Sequence, residues 1–74
     1  MQYLYSYYEM NTYSEDIGNY FTYGIRLTHN DSEVIVDIKD VSSDLSLISD
    51  IVKLLNEYQA SPENVREIIS DLIS

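Results

Sequence analysis

The first half of the chain alternates apolar and polar positions with a period of two, and the second half repeats them every three to four residues. The segment Gln2 to Glu9 is rich in tyrosine and contains no glycine or proline, which predicts a strand. Tyr3, Tyr5 and Tyr7 share one of its faces, and Leu4, Tyr8 and Met10 share the other. A polar stretch from Asn11 to Asn19, containing Ser14, Glu15, Asp16 and Gly18, reads as a loop. Phe21, Tyr23, Ile25 and Leu27 then alternate with Tyr20, Thr22, Gly24 and Arg26 as a half-buried second strand. His29, Asn30, Asp31 and Ser32 supply turn residues, and Val34, Val36 and Ile38 alternate with Ile35, Asp37 and Lys39 in a third strand. The economical arrangement is an antiparallel meander. It turns Phe21, Tyr23, Ile25, Leu27, Val34, Val36 and Ile38 toward a core, and its back shows Tyr20, Thr22, Arg26, Ile35, Asp37 and one of the two tyrosine sets.

Beyond Ser43 the apolar residues Leu45, Ile48, Ile51, Val52, Leu55 and Tyr58 recur at helical spacing, with Ser42 or Ser43 placed to cap the first turn. Ser61-Pro62-Glu63 then supplies a cap, a proline suited to the first helical position and an acid near the positive end of the helix dipole. Val65, Ile68, Ile69, Leu72 and Ile73 form the apolar stripe of this second helix. The turn between the helices is short, so they should pack as a hairpin on one sheet face. The expected fold is α+β, a single domain over residues 1–74 in the order strand, strand, strand, helix, helix.

Composition narrows the function. A chain of 74 residues builds one marginal core, and it contains no cysteine and a single histidine, His29, so it lacks the usual disulfide or metal staples. Absence of thiols, of a basic leader and of a long apolar run leads to the expectation of a cytoplasmic protein, in a bacterium or in the host cell of a phage, with no membrane contact. Thirteen acids against four bases give a formal charge of −9, which disfavours direct contact with nucleic acid. The second helix has the position of a recognition helix, but Glu63, Asn64, Glu67, Ser70 and Asp71 outweigh a lone Arg66 on its polar side.

Catalytic chemistry has no foothold in these residues. His29 lies in a turn-like stretch with no candidate nucleophile or orienter defined beside it, and two glycines cannot furnish a phosphate-cradling loop. The stretch Asp37 to Asp44 lacks the glycine and terminal glutamate of a calcium loop. The expectation is a protein that is not an enzyme and holds no cofactor and no metal.

What the residues do offer is acid and tyrosine. Glu63, Glu67 and Asp71 fall at i, i+4 and i+8, forming a stripe with a spacing of about 6 Å along the second helix. Asp37, Asp40, Asp44, Asp50 and Glu57 extend it, interrupted by Lys39, Lys53 and Arg66. One reading is a solvated face that keeps a small protein dissolved. The other is a sparse imitation of a phosphate backbone, since DNA places a phosphate every ~3.4 Å along each strand. Tyrosines at the centre of such a surface, Tyr3, Tyr5, Tyr7 and Tyr20, would anchor a protein partner, with Asp37, Asp40, Asp50, Glu57, Glu63, Glu67 and Asp71 as the acidic surround. A homodimer through the tyrosine face or through an unpaired edge strand is a further reading.

Tyr23-Gly24-Ile25, then Ile38-Lys39-Asp40-Val41-Ser42, then Ser61-Pro62-Glu63-Asn64-Val65-Arg66-Glu67-Ile68-Ile69-Ser70-Asp71-Leu72 resemble an uncharacterised family of short acidic proteins from clostridia and related Firmicutes. That resemblance covers roughly residues 20 to 73 and implies a bacterial or phage setting, without an active site. Size and charge are also similar to those of small inhibitors from phages and mobile elements, anti-CRISPR proteins among them. The functional expectation is an inhibitor that occupies the basic nucleic-acid-binding surface of a partner protein. Its alternative is a homodimeric bacterial regulatory or structural module whose acidity serves solubility.

Overall fold

A computed structural model describes residues 3–30 and 32–73. Three strands, β1 (Tyr3–Ser14), β2 (Gly18–His29) and β3 (Glu33–Ser42), precede two helices, α1 (Leu45–Tyr58) and α2 (Val65–Ile73). The strands form one open antiparallel sheet in the order β1-β2-β3, and the whole is the expected α+β meander followed by two helices.

β1 and β2 pair without interruption from Tyr3 opposite His29 to Ser14 opposite Gly18. Only Glu15, Asp16 and Ile17 connect them, and Gly18 follows at φ +79°, in the left-handed region that three-residue hairpins use after their turn. The anticipated loop from Asn11 to Asn19 is therefore mostly strand. Its polar residues tolerate a ladder because β3 stops at Ser42 opposite Tyr23, leaving the far half of the hairpin as a two-stranded ribbon on which Asn11, Tyr13, Asn19 and Phe21 are exposed. This ribbon stretches the molecule to 42 × 26 × 20 Å.

The pairing of β2 with β3 is irregular. Register shifts fall between Tyr23 and Ile25 and between Leu27 and Thr28, and Asp40 takes a positive φ of 53°. Such interruptions add local twist and bend a strand. Val34 consequently pairs with Thr28 and is 51% exposed, contrary to its expected place in the core. Phe21 is likewise 62% exposed, because it stands on the ribbon beyond the cover of the helices.

Core residues come from every element but β3. Tyr5, Ile25 and Leu27 from the sheet meet Ile48, Ile51, Val52 and Leu55 of α1 and Val65 and Ile69 of α2. Val36, Ile38 and Val41 of β3 pack at the margin. The stripe of α1 buries as its spacing requires, except that Leu45 and Tyr58 at its ends stay exposed; on α2, Leu72 and Ile73 do so too. The cap of α1 is Asp44, whose carboxylate accepts from the Leu47 N–H at 3.2 Å. Ser42 and Ser43, the expected caps, do other work: Ser42 Oγ accepts from the Asp44 N–H, and the Ser43 hydroxyl donates to the Phe21 carbonyl. α1 ends in a left-handed Gln59 at φ 50°, with the Ala60 N–H returning to the Leu55 carbonyl. Ser61 opens the next turn, its Oγ accepting from the Glu63 N–H and its carbonyl from the N–H groups of Asn64 and Val65.

Candidate interaction surfaces

The helix side of the sheet takes Tyr3, Tyr5 and Tyr7, and the back takes Leu4, Tyr8 and Met10. Tyr5 is 2% exposed, and its hydroxyl donates to the Ala60 carbonyl at the end of α1. Burial raises its pKa above the usual tyrosine value. Tyr5 is thus unavailable to a partner, which corrects its assignment to a contact surface: α1 lies across this part of β1 and takes the ring into the core. Tyr3 is half-buried against the same core, its ring 5.3 Å from that of His29. Tyr7 is 43% exposed and meets Tyr23 edge-on at 6.0 Å, so it is the member of this set with most surface to offer.

Asn56 of α1 reaches the outer edge of β1 at the same point. Its Oδ1 accepts from the Tyr5 N–H at 2.8 Å and its Nδ2 donates to the Tyr5 carbonyl at 2.9 Å. One carboxamide thus stands where the peptide of a neighbouring strand would be. Nothing in the period of α1 marks this role beyond a polar residue placed directly after Leu55.

On the back of the sheet, Tyr8 lies opposite Gly24. A Cβ at that glycine would stand 2.5 Å from the Tyr8 ring, so glycine is what lets the ring lie across β2. The ring passes under the Arg26 guanidinium at 4.4 Å, and its hydroxyl donates to the Asp37 carboxylate of β3. Arg26 stands 4.0 Å from the same carboxylate. A second tie of this kind joins Tyr20 to Asp40, with 2.9 Å between the hydroxyl and Oδ2. Both tyrosines are held above their usual pKa, Tyr8 by burial first and then by Asp37, Tyr20 chiefly by its bond to Asp40. Thr22, expected to show on this face, is fully buried. Tyr20, Asp37 and Asp40 are therefore committed to one another's strands, although Asp40 is still exposed.

The acids on the helices, and Glu63 in the turn before α2, are different. Asp50, Glu57, Glu63, Glu67 and Asp71 are all exposed, and none lies within ion-pair distance of a base among the described residues. The ion pair there is Arg26 with Asp37, and the His29 Nδ1 lies 3.8 Å from the Glu33 carboxylate. Between β3 and α2 a groove of about 190 Å³ is flanked by Lys39 and Arg66, smaller than the roughly 300 Å³ at which small-molecule pockets begin. No group of three or more potential metal ligands occurs among the described residues, and no described helix is long and apolar enough to cross a membrane.

One surface escaped sequence reasoning altogether. Tyr13 and Ile17, each 67% exposed, join Phe21 at the free end of the ribbon. Tyr13 and Ile17 lay in a supposed loop and Phe21 in a supposed core, so only the length of the hairpin reveals them together.

The chain belongs to a family of unknown function (DUF6514), whose family model matches residues 1–74. No curated protein and no solved structure matches it.

Proposed function

For this member of a family of unknown function, we propose a non-enzymatic protein-binding role in which the helix layer meets the basic, nucleic-acid-binding surface of a partner and inhibits it. The observation that carries this reading is the set of exposed acids Asp50, Glu57, Glu63, Glu67 and Asp71 with no counter-ion among the described residues. Like charges at i, i+4 spacing weaken a helix by a few tenths of a kcal/mol per pair, so Glu67 and Asp71 of α2 cost stability unless a cation from outside neutralises them, and Glu63 adds its charge from the turn just before that helix. Asp37 and Asp40 are excluded from the leading role, since tyrosines of the same sheet already occupy them. Tyr7 supplies an exposed aromatic at the side of the sheet. A second reading, a homodimeric module, draws support from the regular edge of β1.

The test is capture of basic DNA- or RNA-binding proteins on the immobilised chain from nuclease-treated bacterial lysate, followed by affinity measurement on the purified partner. Affinity should fall steeply with added salt, and duplex or single-stranded DNA should compete. Replacing Glu63, Glu67 and Asp71 together by lysine should weaken binding at least about tenfold, equivalent to about 1.4 kcal/mol. Salt-insensitive binding, or full affinity in the triple variant, would remove the proposal.

A further inference from the structure

β1 is an edge strand over its whole length, Tyr3–Ser14. Exposed edges are ordinarily blunted by lysine, proline, bulges or inward charges, and β1 has no lysine, proline or bulge and only an exposed Glu9 on its helix side. Its register with β2 is unbroken, and it carries Glu9 alone of the thirteen acids in the chain. In an antiparallel ladder, alternate residues aim their N–H and C=O away from the partner strand. Tyr5 aims outward, to Asn56, and so therefore do Tyr7, Glu9, Asn11 and Tyr13.

The geometry points to a second copy of this chain on that edge, its β1 antiparallel to the first about a two-fold axis at Met10. In this register Tyr7 lies opposite Tyr13 of the partner subunit, and Glu9 lies opposite Asn11 of the partner subunit. All four outward residues are then paired on both chains, with about eight backbone hydrogen bonds. The two sheets become one of six strands, and the interface is isologous as a two-fold requires.

Three observations favour a second copy over another extended chain. The free stretch is self-complementary: four outward residues symmetric about Met10 meet the same four. Charge agrees as well, because this edge carries one acid in twelve residues of a chain at −9, and the register sets Glu9 against an amide instead of its own copy. Length agrees too, since the partner's Ser14 would fall opposite Ser6, so its hairpin turns away where Asn56 takes over the edge at Tyr5. The inference does not depend on the proposed inhibitory role.

Sedimentation equilibrium on the purified chain should give twice the 8.6 kDa of one copy at micromolar concentration. Asn11→Pro removes an outward N–H that β2 does not use, so the fold should survive while dimer affinity drops at least about tenfold. Asn11→Lys sets an ammonium opposite the partner subunit's Glu9 and should tighten the dimer, whereas Asn11→Asp should loosen it. Met10→Cys supplies the sole thiol at a non-hydrogen-bonded pair on the axis, where copies approach closely enough for an intermolecular disulfide. Ser6→Cys should not cross-link, because its copies would stand about 27 Å apart. A monomeric mass, a dimer indifferent to Asn11→Pro, or equal cross-linking at the two cysteines overturns the inference.

Discussion

The two edges of the sheet are built on opposite principles. β3 has four charged residues in ten, two breaks in its register with β2, and a left-handed Asp40. β1 has one charged residue in twelve, no break, and a single carboxamide standing in for a neighbour at Tyr5. Bulges and charge make an edge a poor template for another strand. One edge of this molecule is thereby closed to pairing, and the other is covered only where α1 crosses it. The better anchored edge is also the open one, since Tyr5 enters the core while β3 contributes only marginal packing.

Truncating one residue on each edge breaks that comparison most severely. Tyr5→Ala removes a buried ring and the hydroxyl bond to the Ala60 carbonyl, and by the scale for buried aromatics it should cost about 3–5 kcal/mol. A domain this small has a total stability near the lower end of about 5–15 kcal/mol, so the variant should be largely unfolded at room temperature. Val36→Ala, at a half-buried position of β3, should cost about 1 kcal/mol. Urea unfolding followed by circular dichroism compares the two, and similar midpoints would show that both edges are anchored alike.

A smaller effect isolates the carboxamide. Asn56→Ala leaves the N–H and C=O of Tyr5 without their partner in a partly buried place, at a cost of about 1–3 kcal/mol. Hydrogen exchange gives the sharper measure. The Tyr5 amide should be protected in the parent chain and exchange quickly in the variant, while the Ile25 amide stays slow. If Tyr5 kept its protection without Asn56, some other group would be closing the edge.

How much of this could be read from the sequence depended on whether the deciding contact was local. The two faces of β1 followed from alternation alone, and so did the buried stripe Ile48, Ile51, Val52 and Leu55 on α1. Which tyrosine face was wet did not follow, because both faces offer aromatic rings and only the position of α1 buries Tyr5. Phe21 and Val34 failed for a related reason: a period of two assigns a side chain to a face, and says nothing of whether a second layer reaches that far. Asn11 to Ser14 looked like a loop since a ribbon that no helix covers has little apolar alternation to display. Among the candidate contacts, the helix acids were legible as exposed positions of an amphipathic helix. The binding of Asn56 to Tyr5, 51 residues away, and of Tyr8 to Asp37, 29 residues away, had no local signal.

That last bond joins the two edges, and it yields the smallest effect. The Tyr8 ring leaves β1, crosses Gly24 of β2 and donates its hydroxyl to Asp37 of β3. Burial, and then the Asp37 carboxylate, hold the phenol neutral above the usual value of 10.0. A group whose pKa is raised in the folded chain contributes its stability fully below the unfolded value and loses it as pH climbs through the folded one. Stability should accordingly be insensitive to this group between neutrality and pH 10.0 and decline beyond. Burial of Tyr5 and the bond from Tyr20 to Asp40 act in the same direction, so the parent chain should lose stability at alkaline pH through all three. Tyr8→Phe keeps a ring under Arg26 and removes only the hydroxyl. It should lower stability at neutral pH by no more than about 1 kcal/mol and make the alkaline decline shallower. Thermal unfolding of both chains across the alkaline range makes the measurement. Parallel declines would mean that the edges are not coupled through this phenol, and that Asp37 is free to face a partner after all.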